Sequence, residues 1–385
     1  MTVRTGPIIV AGGGGAQGIE CIAYLRSAEP NVEIIAVDRG YSPAALNRLC
    51  ELGATPSKLD LLAEPERLHD VLLGASIVVN LAGPFFALGT TVLDAAIKAR
   101  TPYLDICDDV DATAQLLERD ADAVDAGVTA IIGMGSAPGT TNLLVKLALG
   151  YLGAENGKGR ADISWCAPGG TLTYGIFQHL VHCYRTALPG RERVPEWDEL
   201  QPRIVAFPDP IGELEVVRLG HPEPLTLERH LGCEATLRGG MTGDGLQYFC
   251  WELARACDDG LSIDEAWNRL CLALPQSSPD APEYSGMAID VWHGARGVRF
   301  ESATTISMEQ STAVPAATVA LMMRDGERLA PGVWPPEVLD PASFFSAASR
   351  VSPGGGGLSC VSLNNNGERG ERIPLRMMFA KKEAS

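Results

Sequence analysis

The sequence predicts an α/β protein whose N-terminal part is a doubly wound parallel sheet. Over the first third of the chain, short apolar runs alternate with longer amphipathic segments of helical period. A glycine-rich turn, Gly13–Gly18, separates the first apolar run from the first helical segment, and the second apolar run is followed by Asp38. Strands joined by helical crossovers form parallel sheets, and this glycine pattern is typical of a Rossmann domain.

Six short runs, most of them apolar, predict the strands of this sheet, because each is bounded by turn residues. In chain order they are Ile8–Ala11, Glu33–Val37, Thr55–Leu59, Ile77–Asn80, Tyr103–Ile106 and Val128–Ile132. Helices are predicted between them over residues 16–27, 43–52, 64–73, 89–99 and 112–126. Ser42 is the expected N-cap of the second helix, with Pro43 in its first position.

The pattern changes after Gly133, which indicates a second domain of mixed α/β type. A helix over Thr141–Leu149 is followed by long strands and by Pro-rich turns at Phe207–Pro210 and His221–Pro224. The predicted divisions are a first domain over 1–135, a mixed α/β domain over 136–312, a helical segment over 313–350 that contains the apolar helix Ala313–Arg324, and a Gly-rich tail over 351–385. Gly354–Gly357 and Asn364–Gly367 bracket Leu358–Leu363, which is predicted as one strand of a hairpin.

The composition is that of a soluble globular protein. Of 385 residues, 46% are hydrophobic and 21% charged, enough for a sizeable core. The net charge of −17 disfavours nucleic acid and anionic membranes as partners. Ten scattered cysteines without a CxxC pair indicate reduced thiols and neither a disulfide nor a zinc framework. With no apolar run of membrane-spanning length and no expected signal peptide in Met1–Pro7, a cytoplasmic location is predicted.

The glycine-rich turn is a candidate site for the phosphates of a dinucleotide. Its G-x-G-x-x-G spacing follows a strand and opens a helix, where backbone N–H groups can approach a pyrophosphate. The residues assigned to it are Gly13, Gly15, Ala16, Gln17 and Gly18. The alternative is a glycine turn that binds nothing.

The type of dinucleotide depends on the end of the second strand. Asp38 lies 20 residues after Gly18 and is placed to bind the adenosine ribose hydroxyls, so its charge favours NAD over NADP. Arg39 keeps NADP open, because an arginine there can bind the 2′-phosphate; otherwise it is a solvated surface charge. Asp60, after the third strand, is assigned to the same site.

The loop after the fourth strand is a second candidate for cofactor contact. In an open α/β sheet, loops at the carboxyl ends of the strands line the ligand crevice, and small residues let the chain pass close to a nicotinamide. The residues concerned are Asn80, Ala82, Gly83 and Pro84. A plain turn between strand and helix is the alternative.

Three carboxylates, Asp105, Asp108 and Asp109, stand at the end of the fifth strand. Clustered carboxylates raise one another's pKa and can supply an acid or base. The other interpretation is that Asp108 or Asp109 caps the next helix, near Asp111, and that Asp105 is structural. Cys107 is more typical of a small buried residue than of a nucleophile.

His179 lies three residues from His182 on a predicted helix, near Tyr174. No cysteine or carboxylate pattern completes a metal site around this pair, so no metal is expected. The residues are candidates for a substrate pocket, or else ordinary packed or surface side chains.

Taken in order, the motifs resemble the saccharopine dehydrogenase family, and most closely its lysine 6-dehydrogenase-like branch. The resembling segments are Gly13–Gly18, Val78-Val79-Asn80, Tyr103-Leu104-Asp105, Gly127-Val128-Thr129, Ala137-Pro138-Gly139-Thr140-Thr141-Asn142, Gly332-Val333-Trp334-Pro335-Pro336-Glu337 and Phe344-Phe345. The "PG-x-x-N" and "GV-x-PPE" segments are the specific ones, whereas the glycine motif alone is not.

The resemblance implies an NAD(P)-dependent oxidoreductase that acts on a carbon–nitrogen bond of an amino acid or related metabolite. It also implies a substrate-binding second domain that forms a dimer, and a C-terminal helix that returns to the first domain. Oxidation of an amine requires a base, for which Asp108, Asp109, Tyr174 and His179 are the candidates. A condensing reductase that joins an amine to a carbonyl, and an inactive cofactor-binding regulatory protein, remain alternatives.

One departure from the family concerns the substrate. Where the family often has T-x-R-Y-x-G-H, this chain has Thr236-Leu237-Arg238 followed by Gly239-Gly240-Met241, so the Tyr and the His are missing. Arg238 is still a candidate to bind a substrate carboxylate, with Asp105 as the second predicted substrate-binding residue. The missing neighbours put lysine itself in doubt as the substrate.

Overall fold

The computed structural model describes residues 5–154, 158–191, 193–243, 245–274, 282–326, 329–352 and 357–379. The chain forms two compact units. The first consists of Met1–Leu143 with Met308–Gly354, and the second of Leu144–Ser307 with Gly355–Ser385. The first division falls within one helix, α8 (Thr140–Leu152).

The first unit contains a seven-stranded sheet with the order β13-β6-β5-β4-β1-β2-β3, in which every pairing is parallel. Its strands are β1 (Ile8–Ala11), β2 (Ile34–Asp38), β3 (Thr55–Lys58), β4 (Ile77–Asn80), β5 (Tyr103–Asp105), β6 (Thr129–Ile131) and β13 (Gly332–Trp334). Its helices are α1 (Ala16–Ala28), α2 (Pro43–Glu51), α3 (Pro65–Leu72), α4 (Phe85–Leu88), α5 (Thr91–Ala99), α6 (Val110–Leu117), α7 (Asp120–Ala126), α13 (Met308–Arg324) and α14 (Pro341–Val351).

The second unit contains a curled eight-stranded mixed sheet with the order β15-β14-β12-β11-β7-β10-β9-β8. Its strands are β7 (Arg160–Pro168), β8 (Arg203–Ala206), β9 (Glu213–Arg218), β10 (Glu234–Thr242), β11 (Ser285–His293), β12 (Arg296–Thr304), β14 (Ser359–Leu363) and β15 (Arg369–Arg372). Its helices are α9 (Tyr174–Arg185), α10 (Glu223–Leu231), α11 (Leu246–Asp258), α12 (Ile263–Ala273) and α15 (Leu375–Met378). Among the described strands of this sheet, only β7 and β10 pair in parallel.

The predicted fold class is confirmed in both units. All six predicted strands form, and Ser42 caps α2 by accepting the Ala45 N–H at 3.1 Å. The predicted C-terminal helix is α13, which packs against α1 as the resemblance implied. The tail strand also forms, as β14 of a hairpin with β15, although Gly354–Gly356 lie outside the described residues.

The structure differs from the prediction at four places. The helix predicted over 112–126 is two helices, α6 and α7, and the helix predicted over 89–99 is preceded by the short α4. The turn predicted at His221–Pro224 instead begins helix α10 at Glu223. A seventh strand, β13, pairs with β6 from about 200 residues away, which no local pattern indicates.

Burial in the first unit follows from the all-parallel pairing. β1 and β4, in the middle of the sheet, are buried along their whole length and are apolar except for Asn80, as expected for a sheet covered on both faces. None of the ten cysteines, all of which lie in the described part of the chain, forms a disulfide. Among the described residues, no helix combines the length and the apolar character needed to cross a membrane.

Candidate functional site

The turn between β1 and α1 is built from glycines that leave no room for a side chain. A Cβ atom on Gly12 would lie 2.6 Å from the backbone nitrogen of Ala82. A Cβ atom on Gly13 would lie 2.7 Å from the Ala36 Cβ, and one on Gly18 would lie 2.2 Å from the Gly12 carbonyl oxygen. The backbone of this turn therefore packs directly on β2 and on the loop after β4.

The first turn of α1 has the features of an anion site. Gly15 is its N-cap residue, so no side chain caps the helix, and the first turn contains no acidic residue. Gly15 and Ala16 are exposed, and Gln17 is half-buried. Backbone N–H groups at a helix N-terminus carry a partial positive charge that attracts phosphate. These residues therefore fit the pyrophosphate of a dinucleotide.

We expect Gly18→Ala to lower the free energy of unfolding by about 2 kcal/mol, because the added methyl group meets the backbone of Gly12 and Gly13, which cannot move aside as a side chain would. Dinucleotide affinity should fall as well, since the turn must shift. Gly175→Ala is the matched control: it is also a helical glycine, but nothing lies within 4 Å of the added Cβ. Chemical denaturation of both variants measures the difference, and equal effects would contradict the prediction.

Asp38 lies beside the glycine turn, at the end of β2. Its Oδ2 accepts the Gly14 N–H at 3.0 Å, and its Oδ1 accepts the Gly40 N–H at 3.3 Å. These bonds hold the carboxylate next to the turn. The arrangement is the one in which an acidic residue binds ribose hydroxyl groups.

Tyr41 is a neighbour of this carboxylate that the sequence pattern did not single out. Its ring would lie 2.8 Å from a Cβ on Gly14. Its hydroxyl group donates to the Ala36 carbonyl oxygen at 2.6 Å and accepts the Ser57 N–H at 3.2 Å, which joins β2 to β3. Its position three residues after Asp38 is the only signal of this role in the sequence.

The other two residues predicted around Asp38 are both exposed. No hydrogen bond or ion pair involves the Arg39 side chain among the described residues, so its role remains a prediction. The Asp60 carboxylate accepts the N–H groups of Leu62 and Ala63, both at 3.0 Å, in the turn before α3. These bonds give Asp60 a local structural role and favour it less as a cofactor ligand.

The loop Asn80–Pro84 follows β4 and lies against the glycine turn through Ala82. Asn80 is buried, donates from Nδ2 to the Tyr103 hydroxyl oxygen at 3.1 Å and accepts the Ala82 N–H at 3.2 Å. Gly83 is open, since an added Cβ would have nothing within 4 Å. Asn80 thus fixes the loop, and Ala82, Gly83 and Pro84 form its surface beside the turn.

Asp105 is the centre of a buried hydrogen-bond network. Its carboxylate is fully buried and accepts the Gly133 N–H at 2.6 Å, the Cys107 N–H at 3.0 Å and the Tyr103 hydroxyl at 2.7 Å. Burial raises the pKa of Asp105 to about 6, although these three bonds oppose the shift. Three donors from its own unit favour the structural interpretation over substrate binding.

Asp108 and Asp109 follow on the same loop but occupy different environments. Asp109 is the N-cap residue of α6, yet it makes no capping hydrogen bond; its buried carboxylate instead accepts the Phe86 N–H at 2.9 Å. This bond ties the loop after β5 to the start of α4. Asp108 is half-buried, and its charge contributes to raising the pKa of Asp105. Cys107 is buried, with a raised thiol pKa, as expected of a packing residue.

In the second unit, His179 belongs to a polar cluster. Its Nε2 lies 3.2 Å from the Cys183 Sγ, and its ring is edge-on to His221 with 6.3 Å between the centroids. The buried His221 Nδ1 lies 2.6 Å from the fully buried Glu223 Oε2. The sequence prediction missed His221 and Glu223, because the prolines beside them indicated a turn.

Tyr174 is the first residue of α9, and it contacts α12. Its hydroxyl group donates to the Asp264 Oδ1 at 2.6 Å, and its ring packs edge-on against Trp267. The hydrogen bond to Asp264 raises the pKa of Tyr174. A phenol that already donates to a carboxylate is a poor proton acceptor, so the structure favours His179 over Tyr174.

Arg238 lies on β10 with its side chain buried. It donates to the Thr236 Oγ1 at 3.0 Å and to the Gln201 Oε1 at 3.4 Å, and it is 3.9 Å from the Asp162 carboxylate. Burial, together with repulsion from the nearby Arg203, lowers the pKa of Arg238 to about 10. Its role as a substrate-carboxylate ligand remains a prediction.

Comparisons with known proteins agree with this geometry. Residues 8–131 match the family model described as the saccharopine dehydrogenase NADP binding domain, so the first unit is similar to a known NAD(P)-binding domain. No curated protein sequence matches the chain significantly. A structure of apo saccharopine dehydrogenase (L-Glu forming) from Saccharomyces cerevisiae is 14% identical with a TM-score of 0.63, covering 93% of this chain and all of the other. Homospermidine synthase from Legionella pneumophila in complex with NAD is 9% identical with a TM-score of 0.61, covering 92% of this chain and 91% of the other. At these identities the likeness shows the fold alone.

Proposed function

We propose that this protein is an NAD(P)-dependent oxidoreductase that acts on the carbon–nitrogen bond of an amino acid or related metabolite, as an amine dehydrogenase or imine reductase. The observation that carries the proposal is the glycine turn with Asp38 beside it, in a domain that matches the saccharopine dehydrogenase NADP binding domain. The carbon–nitrogen substrate and the lysine 6-dehydrogenase-like branch are supported by the resemblance of the sequence motifs.

The first unit supplies the groups that would hold the cofactor. The uncapped first turn of α1 fits the pyrophosphate, and the Asp38 carboxylate fits the ribose hydroxyls, which favours NAD over NADP. The surface residues of the Asn80–Pro84 loop are close enough to the turn to contact the same molecule. A bound nicotinamide exchanges hydride with the substrate, and the protein supplies orientation and exclusion of water.

An amine that loses hydride must also lose a proton, so a base is required. Two of the four predicted residues are engaged in structural hydrogen bonds: Tyr174 donates to Asp264, and Asp109 accepts the Phe86 N–H. Asp108 and His179 are therefore the preferred candidates. Each candidate can be replaced by a neutral residue of similar shape, in the variants Asp108→Asn and His179→Gln. The pH dependence of kcat/KM then identifies the base, because only loss of the base removes the acidic limb of the profile.

The proposal is tested by titrating the protein with NADH and with NADPH, followed by intrinsic tryptophan fluorescence. We expect NADH to bind more tightly, and Asp38→Ala to weaken NADH about tenfold or more, since a hydrogen bond to a charged group contributes roughly 1.5–3 kcal/mol. Asp94→Ala, an exposed aspartate on α5, is the matched control. A panel of amines and imines then identifies the substrate.

Each outcome has a clear consequence. Preference for NADPH would move the specificity contact to Arg39. Binding of neither dinucleotide would reject the proposal at its first step. Tight binding with no turnover of any amine or imine would leave a cofactor-binding protein without the proposed activity.

A further inference from the structure

A cavity of about 540 Å³ lies on the second unit, with a lining rich in arginine. Its volume is within the range of small-molecule sites, about 300–1,000 Å³. Arg160, Arg203 and Arg299 line it together with Asp162 and Asp290. These three guanidinium groups give the cavity a local positive charge, although the chain as a whole has a net charge of −17.

The carboxylates in the cavity do not balance these cations. Both carboxylate oxygens of Asp290 accept hydrogen bonds from Arg299, one from Nε and the other from Nη2. Asp162 is the remaining carboxylate, at 3.6 Å from Arg203 and 3.9 Å from the buried Arg238 behind it. Two guanidinium groups thus share one carboxylate, which also accepts the hydroxyl group of Thr236.

Two buried donors in and beside the cavity are unsatisfied. The Nε atoms of Arg203 and Arg238 are buried and have no hydrogen-bond partner among the described residues. Arg160 stacks over the Trp292 ring at 4.4 Å from its centroid and has no carboxylate partner within the described part of the chain. A buried donor without a partner is costly, and a guanidinium group is matched best by a planar carboxylate or a phosphate.

The C-terminal hairpin completes the cavity. Its turn between β14 and β15 lines the cavity with Asn365, Asn366 and Gly367. Arg369 of this hairpin pairs with Glu301 at 2.7 Å and donates to the Ala206 carbonyl oxygen at the end of β8. The turn is therefore anchored beside the arginines, where asparagine amide groups can donate to an anion.

We propose that this cavity binds a small polyanion, a molecule with at least two phosphate or carboxylate groups, through Arg160, Arg203 and the turn at Asn365–Gly367. This site goes beyond the proposed function, because none of its binding residues, Arg160, Arg203 and Asn365–Gly367, is assigned to the dinucleotide or to the substrate. It also gives the Gly- and Asn-containing tail a role in binding.

The test is isothermal titration calorimetry with inorganic pyrophosphate and, separately, with citrate, at constant ionic strength. Binding of pyrophosphate alone identifies a phosphate ligand, and binding of citrate alone a carboxylate ligand. We expect Arg203→Gln to weaken binding about tenfold or more. Arg160→Gln and the double variant Asn365→Ala/Asn366→Ala should weaken it less, and none of these sites lies in the core. Arg269→Gln, an exposed arginine paired with Glu265, is the charge-matched control and should leave binding unchanged.

Gly18→Ala separates this site from the dinucleotide site. If pyrophosphate affinity falls in Gly18→Ala and not in Arg203→Gln, the anion binds at the glycine turn and the proposal is wrong. It is equally wrong if neither probe binds at millimolar concentration, or if Arg203→Gln changes the sedimentation coefficient but not the affinity, which would assign the surface to contact between copies of the chain. NADH titration of the same samples reports independently on the proposed function.

Discussion

Replacing Asp105 by alanine is expected to lower the free energy of unfolding by about 4 kcal/mol, because three buried donors lose their acceptor at once. These donors are the N–H groups of Cys107 and Gly133 and the hydroxyl group of Tyr103. The network also reaches Asn80 through Tyr103, so the loop beside the glycine turn should loosen. Urea denaturation monitored by circular dichroism measures the loss.

The pH dependence of the free energy of unfolding separates the effect of the Asp105 charge from the effect of its hydrogen bonds. The pKa of Asp105 is raised to about 6 in the folded protein, above its ordinary value of 3.8, so the folded state binds this proton more readily than the unfolded state. The contribution of Asp105 to stability is therefore greatest below about pH 4 and falls as the pH rises through 6. Asp105→Asn should flatten this slope between pH 4 and 6. An Asp105→Ala loss no larger than that of Asp94→Ala would contradict the assigned network.

Replacing Glu223 by alanine is expected to lower the free energy of unfolding by about 3 kcal/mol, since it breaks a buried, hydrogen-bonded pair with His221. Both side chains are nearly inaccessible to solvent, at 0% and 4% exposed, so water cannot take over the lost contact. His221 also packs against His179, so the position of the candidate base should change with it. Thermal and chemical denaturation measure the stability of the variant.

Two further variants control this experiment. Glu223→Gln keeps an oxygen that can accept from His221 and should recover more than half of the loss. Glu265→Ala removes an exposed glutamate that forms an ion pair with Arg269. Ion pairs at the surface contribute less than about 1 kcal/mol to the free energy of unfolding. Should Glu223→Ala prove no more harmful than Glu265→Ala, the buried pair would not be a stabilising element.

The prediction from sequence was most accurate where the signal is local. β1, β4 and the glycine turn follow from a few adjacent residues, and Ser42 with Pro43 gives the start of α2. Such signals depend on backbone geometry and capping, which neighbouring residues decide. The same holds for Asp38, because an acidic residue about 20 positions after the glycine turn ends the second strand next to that turn.

The prediction was least complete where a contact joins distant parts of the chain. At the end of β5, the sequence leaves two interpretations open for three aspartates, an acid/base cluster or a helix cap beside a structural Asp105, and the structure places each of the three differently. Asp105 bonds to the loop after β6, Asp109 to the start of α4, and Asp108 stays half-buried. Their spacing along the chain carries no information about which donors from other elements reach each carboxylate, so sequence alone could not divide their roles.

By itself, the sequence determined the α/β class, the succession of the first six strands along the chain and the glycine turn beside which Asp38 lies, because hydrophobic period and glycine conformation act over a few residues. Only the tertiary structure decided that β13 extends the sheet beside β6, that His221 and Glu223 stand beside His179, and that Arg238 shares Asp162 with Arg203. Each of these contacts joins residues that lie far apart along the chain. Burial and hydrogen-bond satisfaction are properties of the packed whole, and no local pattern records them.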